Sequence, residues 1–380
     1  MRNKIVVAGG DHHNTLGVVE SFGMKGLKSY VVLYTPWSEG YVLHSKWVED
    51  GWCCSDEQKF VECLTANFTD KENKAVLIST NDIVASIIDK YAQILSDFFF
   101  LQTTQPTGTL LGWMEKEKMS ETARNVGMNV PKTWIISGNE IPSGIEYPVI
   151  TKAISSVAGS KANIRICKTE ADLRAFLKEE HCSTIQVQRF IDKDFEFQFI
   201  GCSINGGEAV LIPGRTHVDR PNGLDNTFFL SFDKCEEEIS PLVQKAVKFI
   251  RQTKYTGPFS MEFLRDKNDG KDYFTEMNFR NDGNAICATW GGVNLPYILY
   301  MSEIGGDWEG EYARSELRKV YLCPDVHYFI CLLLREFGFK EWLKNMKRTD
   351  CFTTYFKNDP KPFRWFLWLA IKKRIFRRFI

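Results

Sequence analysis

The stretch "GPFSMEFLRDKNDGKDYFTEMNF", residues 257–279, constrains this chain more than any other, because two alternating apolar runs flank a polar turn. Residues two apart on a strand share a face. A turn centred near Asp269 places Glu262 opposite Glu276, each between apolar neighbours, with Asn278 two residues on and Arg280 beyond. Like charges opposed on a sheet destabilise it, and burial raises that cost. A divalent cation removes the conflict, since carboxylate and amide oxygens are the ligands Mg²⁺ takes, usually beside nucleotide phosphates. The competing reading is a register one residue off, with both acids on a wetted face.

The first hundred residues have a different texture. "KIVVAGG", "SYVVLYT" and "AVLIST" read as buried strands separated by helices, which predicts a small parallel α/β domain over about residues 1–112. The loop "GGDHHNTLG" lacks the G-x-G-x-x-G spacing of a dinucleotide site, which argues against an NAD-linked reductase. From Glu115 onward strands and helices mix: a charged helix, a strand pair around "YPVITKAISSVAGSKANIRIC", a helix opened by Thr169-x-x-Asp172, and a hairpin turning at "INGGE". This predicts an α+β domain over about 113–310, with a small lobe to about 188 and a large lobe beyond, followed by a helical extension over 311–380.

Lys152 stands at the mouth of the "YPVIT" strand, ahead of the small-residue loop "SSVAGSK" that contains Ser160. Backbone N–H groups of such a loop can approach an anion closely, and a lysine beside it suggests phosphate; a surface hairpin is the alternative. "IQVQRFIDKDFEF" reads as a strand running into an extended linker, Gln188, Arg189, Phe190 and Ile191, with Glu196 just beyond. Free backbone groups there can pair with an adenine edge and the acid with ribose hydroxyls; taken alone, the segment fits an edge strand with a charged turn better.

The order of these parts resembles the ATP-grasp superfamily, over roughly residues 1–305. Lys118 ahead of "NVGMNVP" is similar to the first family lysine and Lys152 to the second. "SSVAGSK" resembles the loop that closes on the phosphates, and "QRFI" the adenine hinge, with Arg189 in place of its usual acid. The resemblance implies ATP and about two Mg²⁺ ions as cofactors, with Glu262, Glu276 and Asn278 as metal ligands. It gives Lys118, Lys152, Ser160, Gln188, Arg189, Phe190, Ile191 and Glu196 to ATP, and Arg280 to the transferring phosphate or the substrate carboxylate. Arg215, in "IPGRTHVDRPNG", is the candidate for the substrate carboxylate, ahead of His217 and Arg220. Residues from "NAICATWGGVNLPYILYM" are similar to carboxylate–amine ligases associated with bacterial surface polymers, near the D-aspartate ligases.

The implied reaction converts a carboxylate to an acyl phosphate, which an amine then attacks. The expected partners are therefore small carboxylate and amine substrates. A catalytically silent ATP-binding adaptor, or an enzyme using bicarbonate, are the alternatives. Formal net charge is zero, which argues against a nucleic-acid partner. Eleven scattered cysteines without a C-x-x-C read as reduced thiols, hence a cytoplasmic protein. Residues 361–380 hold seven basic residues, six aromatic ones and no acids. As a helix they suit the inner face of an anionic membrane, with Trp365, Trp368, Leu369 and Ile371 on the apolar half. The other reading is a terminal helix docked on the protein. Oligomeric state is open, a homodimer included, and no role is readable for His12, His13 or His217.

Overall fold

The computed structural model describes residues 3–138, 140–152, 164–179, 184–218 and 229–376, with side chains as far as 372. Ser160, Arg220 and the last basic side chains of the tail lie outside the described residues.

Three sheets organise the chain. The first holds β1 (Ile5–Gly9), β2 (Ser29–Tyr34), β3 (Val48–Cys54), β4 (Ala75–Ser79) and β5 (Phe99–Phe100), in the order β3-β2-β1-β4-β5 and parallel throughout. β1 and β4 are buried along their whole length, which is why they read as unbroken apolar runs rather than alternating ones. Helix His13–Gly23 follows β1 directly, and Asn81 caps helix Asp82–Lys90 by accepting the Val84 N–H at 2.7 Å.

The second sheet is antiparallel and small: β6 (Thr133–Ser137), β7 (Val149–Lys152), β8 (Ile166–Cys167) and β9 (Thr184–Arg189), ordered β6-β9-β7-β8. Helix Glu170–Glu179 covers it through Leu173, Phe176 and Leu177. Its start is a reciprocal capping box, Asp172 N–H to Thr169 Oγ1 at 3.2 Å and Thr169 N–H to Asp172 Oδ2 at 2.9 Å.

The third sheet comprises β10 (Lys193–Ile204), β11 (Ala209–Val218), β12 (Leu230–Asp233), β13 (Gly257–Asp266), β14 (Asp272–Asn278), β15 (Val320–Cys323) and β16 (Cys351–Phe352), ordered β14-β13-β10-β11-β12-β15-β16. β10 and β11 are joined through Asn205, Gly206 and Gly207, all at positive φ (49°, 64° and 88°), a backbone that glycine adopts without strain. The last two strands come from beyond residue 310. The C-terminal region is therefore not purely helical: it completes the large sheet before helix Lys361–Phe376.

That terminal helix docks on the first domain. Trp365 stacks on His44 with ring centroids 3.8 Å apart, and Phe366 meets Tyr41 edge-on at 5.2 Å. Leu369 is buried in the same core. Trp365 and Leu369 thus leave the apolar half assigned to them on a membrane-facing helix, while Leu367, Trp368 and Ile371 stay exposed. No described helix is long and apolar enough to cross a membrane.

Candidate active site

β13 and β14 pair with Glu262 opposite Glu276 and Ser260 opposite Asn278, the register expected from the sequence. It is reached by a different route. Nearer the turn Phe263 pairs with Phe274 and Arg265 with Asp272, so the turn is centred half a residue before Asp269. Thr275 is an extra residue, bulged between the two registers, and its Oγ1 donates to the Glu262 carbonyl at 3.1 Å. The bulge lets Met277 and Phe274, three residues apart, share one core, leaving Glu276 on the opposite face with Glu262.

Gln198 on β10 pairs with Glu262 and donates to its Oε1 at 3.0 Å; Asn278 Nδ2 donates to the same oxygen at 3.1 Å. Burial, then the Glu276 charge, pushes the Glu262 carboxyl up to about 8. An acid pair with its charge so disfavoured fits a cation site, with the Asn278 amide adjacent. Among the described residues no three His, Cys, Asp or Glu side chains converge as a metal cluster, so the donor set here is two carboxylates and an amide.

Lys152 projects from β7 toward these acids. Its Nζ donates to Gln188 Oε1 at 2.9 Å, and burial and Lys116 together lower its pKa against the pull of Glu276 and Glu262. Lys116 is therefore close enough to act on the Lys152 charge. Lys118 lies over the Trp113 ring, 3.9 Å from its centroid. The two lysines sit about 200° apart on helix Lys116–Asn125 at 100° per residue, so only one can face the site, and sequence alone does not say which.

At the hinge, the Arg189 N–H donates to the Lys132 carbonyl and the Phe190 N–H to the Pro148 carbonyl. The Arg189 side chain turns away to Asp266 (2.8 Å), whose side chain is fully buried, and to the Tyr273 hydroxyl (3.0 Å). It braces β9 against the β13–β14 hairpin and does not face the acids. Ile191 is buried, and Glu196 lies within 3.3 Å of Lys193.

Arg215 requires a correction. It pairs with Phe199 on β10 and its guanidinium lies over Phe197, on the face opposite Gln198 and Glu262. Its partner is Glu236 at 2.6 Å. A side chain on that face cannot reach a substrate beside the acids; alternation along β10 decides it. His217, against Phe195, falls on the same wrong face.

A cavity of about 740 Å³ opens where the first domain meets the large sheet. Its walls include Glu196, Gln198, Glu262 and Arg280 from one side and Asp11, His12, His13 and Asp82 from the other, joined by Asp282, Gly283 and Asn284. Arg280 is held by Asp82 (3.3 Å) and Asp282 (3.0 Å) and donates to Asn278 Oδ1 at 3.1 Å. Burial opposes its charge, but Asp82 and Asp282 outweigh it and push the guanidinium pKa up. The turn after β14 is thus part of the site. Asn281 N–H donates to the Ser79 carbonyl, Asn14 Nδ2 donates to the Asn281 backbone carbonyl and Asn281 Nδ2 donates to Asn14 Oδ1, tying the loop to the first domain.

His12 and His13 were unreadable as site residues. His12 caps its helix, Nδ1 accepting the Asn14 N–H at 3.4 Å, and its ring lies 3.9 Å from that of His13. Burial, then His12, lowers the His13 pKa to about 3; burial, then Arg280, lowers that of His12. Both rings are neutral near pH 7. Gln198 could have been found from Glu196, since two residues apart on β10 they share a face.

No family model and no curated protein matches the chain. Solved structures do. An L-amino acid ligase from Bacillus licheniformis superposes with a TM-score of 0.64 at 18% identity, covering 84% of this chain and 79% of its own. The N5-carboxyaminoimidazole synthetase of Staphylococcus aureus, complexed with ADP, gives 0.64 at 16%, covering 90% and 86%. A biotin carboxylase from Campylobacter jejuni, in a β,γ-ATP complex, gives 0.62 at 17%, covering 80% and 71%. The fold these enzymes share with this chain is the ATP-grasp fold.

Proposed function

We propose that the chain is an ATP- and Mg²⁺-dependent carboxylate–amine ligase. The observation that carries this is the half-buried opposition of Glu262 and Glu276 with Lys152 aimed at them. Mg²⁺ on Glu262, Glu276 and Asn278 would neutralise that pair and the nucleotide phosphates. Lys152 and Lys116 supply positive charge to the phosphate oxygens, and Ile191 with its neighbours borders the adenine. Arg280, fixed by Asp82 and Asp282, faces the transferred phosphoryl group. The carboxylate oxygen takes the γ-phosphoryl group, releasing ADP. The amine then displaces phosphate, forming the amide and giving up a proton.

The junction cavity suits the amine. With Glu262 given to the metal, Asp11, Asp82, Glu196 and Asp282 line it against Arg280, whose charge Asp82 and Asp282 already offset, and both histidines add no charge. An ammonium group is favoured there over a second anion. Bicarbonate in place of an organic acid is the second reading, since a biotin carboxylase shares the fold.

The test is phosphate release from MgATP against a panel of amino acids, amino sugars, uronic-acid nucleotides and bicarbonate. Release requiring both an acid and an amine supports ligation; release with bicarbonate alone supports the second reading. ATP binding without turnover under any pair would indicate a silent adaptor. Glu276→Gln should abolish ADP formation with the fold intact, and full turnover by that variant would sink the metal assignment.

A further inference from the structure

Among the described residues the most exposed large apolar side chains lie outside the active site, on and between the two helices Asp325–Leu333 and Phe339–Arg348. Leu333, Leu334 and Phe339 are 64%, 66% and 62% exposed, and Phe329, Ile330 and Leu343 are exposed beside them. Trp342 joins the two helices' apolar residues, stacking on Phe339 at 5.6 Å and meeting Phe329 at 6.5 Å. This is one patch spanning a helical hairpin, not a scatter of single residues.

The charges beside it are mainly basic, with Glu336 and Glu341 the half-exposed acids among them. Lys340, Lys344 and Lys347 run at helical spacing down the solvent side of the second helix, next to Phe339 and Leu343, while Asn345 faces inward and is buried. Arg335 is exposed at the loop between the helices. The asymmetry extends further: residues 325–380 hold thirteen Lys and Arg against five Asp and Glu, in a chain whose total charge is zero. Basic side chains flanking an exposed apolar stripe, with no described helix able to span a bilayer, are the arrangement of an interfacial helix whose apolar edge sinks below the headgroups.

We propose that this helical hairpin is the docking surface for an anionic lipid bilayer, with Leu333, Leu334 and Phe339 inserted and Lys340, Lys344 and Lys347 on the headgroups. It replaces the apolar half of the terminal helix as the insertion element, since Trp365, Phe366 and Leu369 are committed to the first domain. It does not depend on the ligase reading.

The experiment is sedimentation of the full chain with phosphatidylglycerol vesicles and with phosphatidylcholine vesicles, at low and high salt, alongside light scattering without lipid. The expected result is salt-sensitive binding to the anionic vesicles alone. Replacing Lys340, Lys344 and Lys347 together by Gln should weaken it roughly a hundredfold, at about fivefold per lysine. Leu333→Ser with Leu334→Ser should weaken it about tenfold or more, with MgATP binding and melting temperature retained. Equal binding by the wild type and both variants, or no binding to either vesicle, overturns the proposal. So does a wild-type dimer that the leucine variant converts to monomer without changing lipid binding, which would assign the patch to a second copy of the chain.

Discussion

His13 Nε2 lies 2.6 Å from the point where a Cβ on Gly283 would stand. A side chain at 283 must displace that ring, which lines the junction cavity, while the acid pair and Lys152 are left alone. For Gly283→Ala we expect acceptor-dependent ADP formation to fall by about tenfold to a hundredfold, with nucleotide affinity kept. Steady-state rates beside calorimetric titration of MgATP check this; an unchanged rate would remove His13 from the acceptor site.

Lys116 and Lys118 separate cleanly. Lys116→Ala takes away a charge that acts on Lys152 and should weaken MgATP binding by about tenfold or more. Lys118→Ala loses a contact with Trp113 worth about 0.5–1 kcal/mol and should lower the melting temperature slightly, with little effect on nucleotide affinity. Nucleotide titration of both variants decides between them.

Arg215→Ala should behave as a stability variant. It removes a largely buried guanidinium from between Phe197 and Glu236, at a cost of about 1–3 kcal/mol. The KM for the carboxylate substrate should stay within about twofold of wild type, as no transition-state contact is lost. Denaturant unfolding with kinetics on the same samples checks both halves.

Glu20 makes stability depend on pH. Burial, then its hydrogen bond to Asp359, pushes its carboxyl up to about 9. The folded chain therefore keeps a proton there that the unfolded chain loses near the ordinary carboxylate range. This contribution is full in acid and falls as pH rises from about 4.5 toward 9, by at most about 1.4 kcal/mol per pH unit. Glu20→Gln should flatten the decline between pH 6 and 8 and be the more stable protein at pH 8. Thermal melts across that range measure it, and parallel curves for the two proteins would refute the assignment.

Much of the fold was legible where periodicity and burial agree: β1 and β4 as continuous apolar runs, helix Ser240–Thr253, and the hairpin that opposes the two acids. Arg215 was misplaced because a lone arginine on a strand carries no sign of which face it takes until its pairing with Phe199 is known. The junction cavity was invisible for a different reason. Asp11, His12 and His13 meet Asp282 and Gly283 across some 270 residues of sequence, through hydrogen bonds such as Asn14 to Asn281, and no local pattern encodes that approach. The terminal helix was half legible: its amphipathic composition is real, but Trp365 and Phe366 found a partner in the protein before any other surface.

Thr275 carries a consequence for how this hairpin can change over time. Around Asn268–Gly270 the chain is exposed, and loops of this kind absorb insertions at small cost. At Thr275 a single deletion would restore a regular strand and reverse the parity of everything on one side of it. Either Phe274 would leave the core or Glu276 would enter it. Length variation among descendants of this sequence should therefore accumulate at the tip of the hairpin and be purged seven residues along from Asn268.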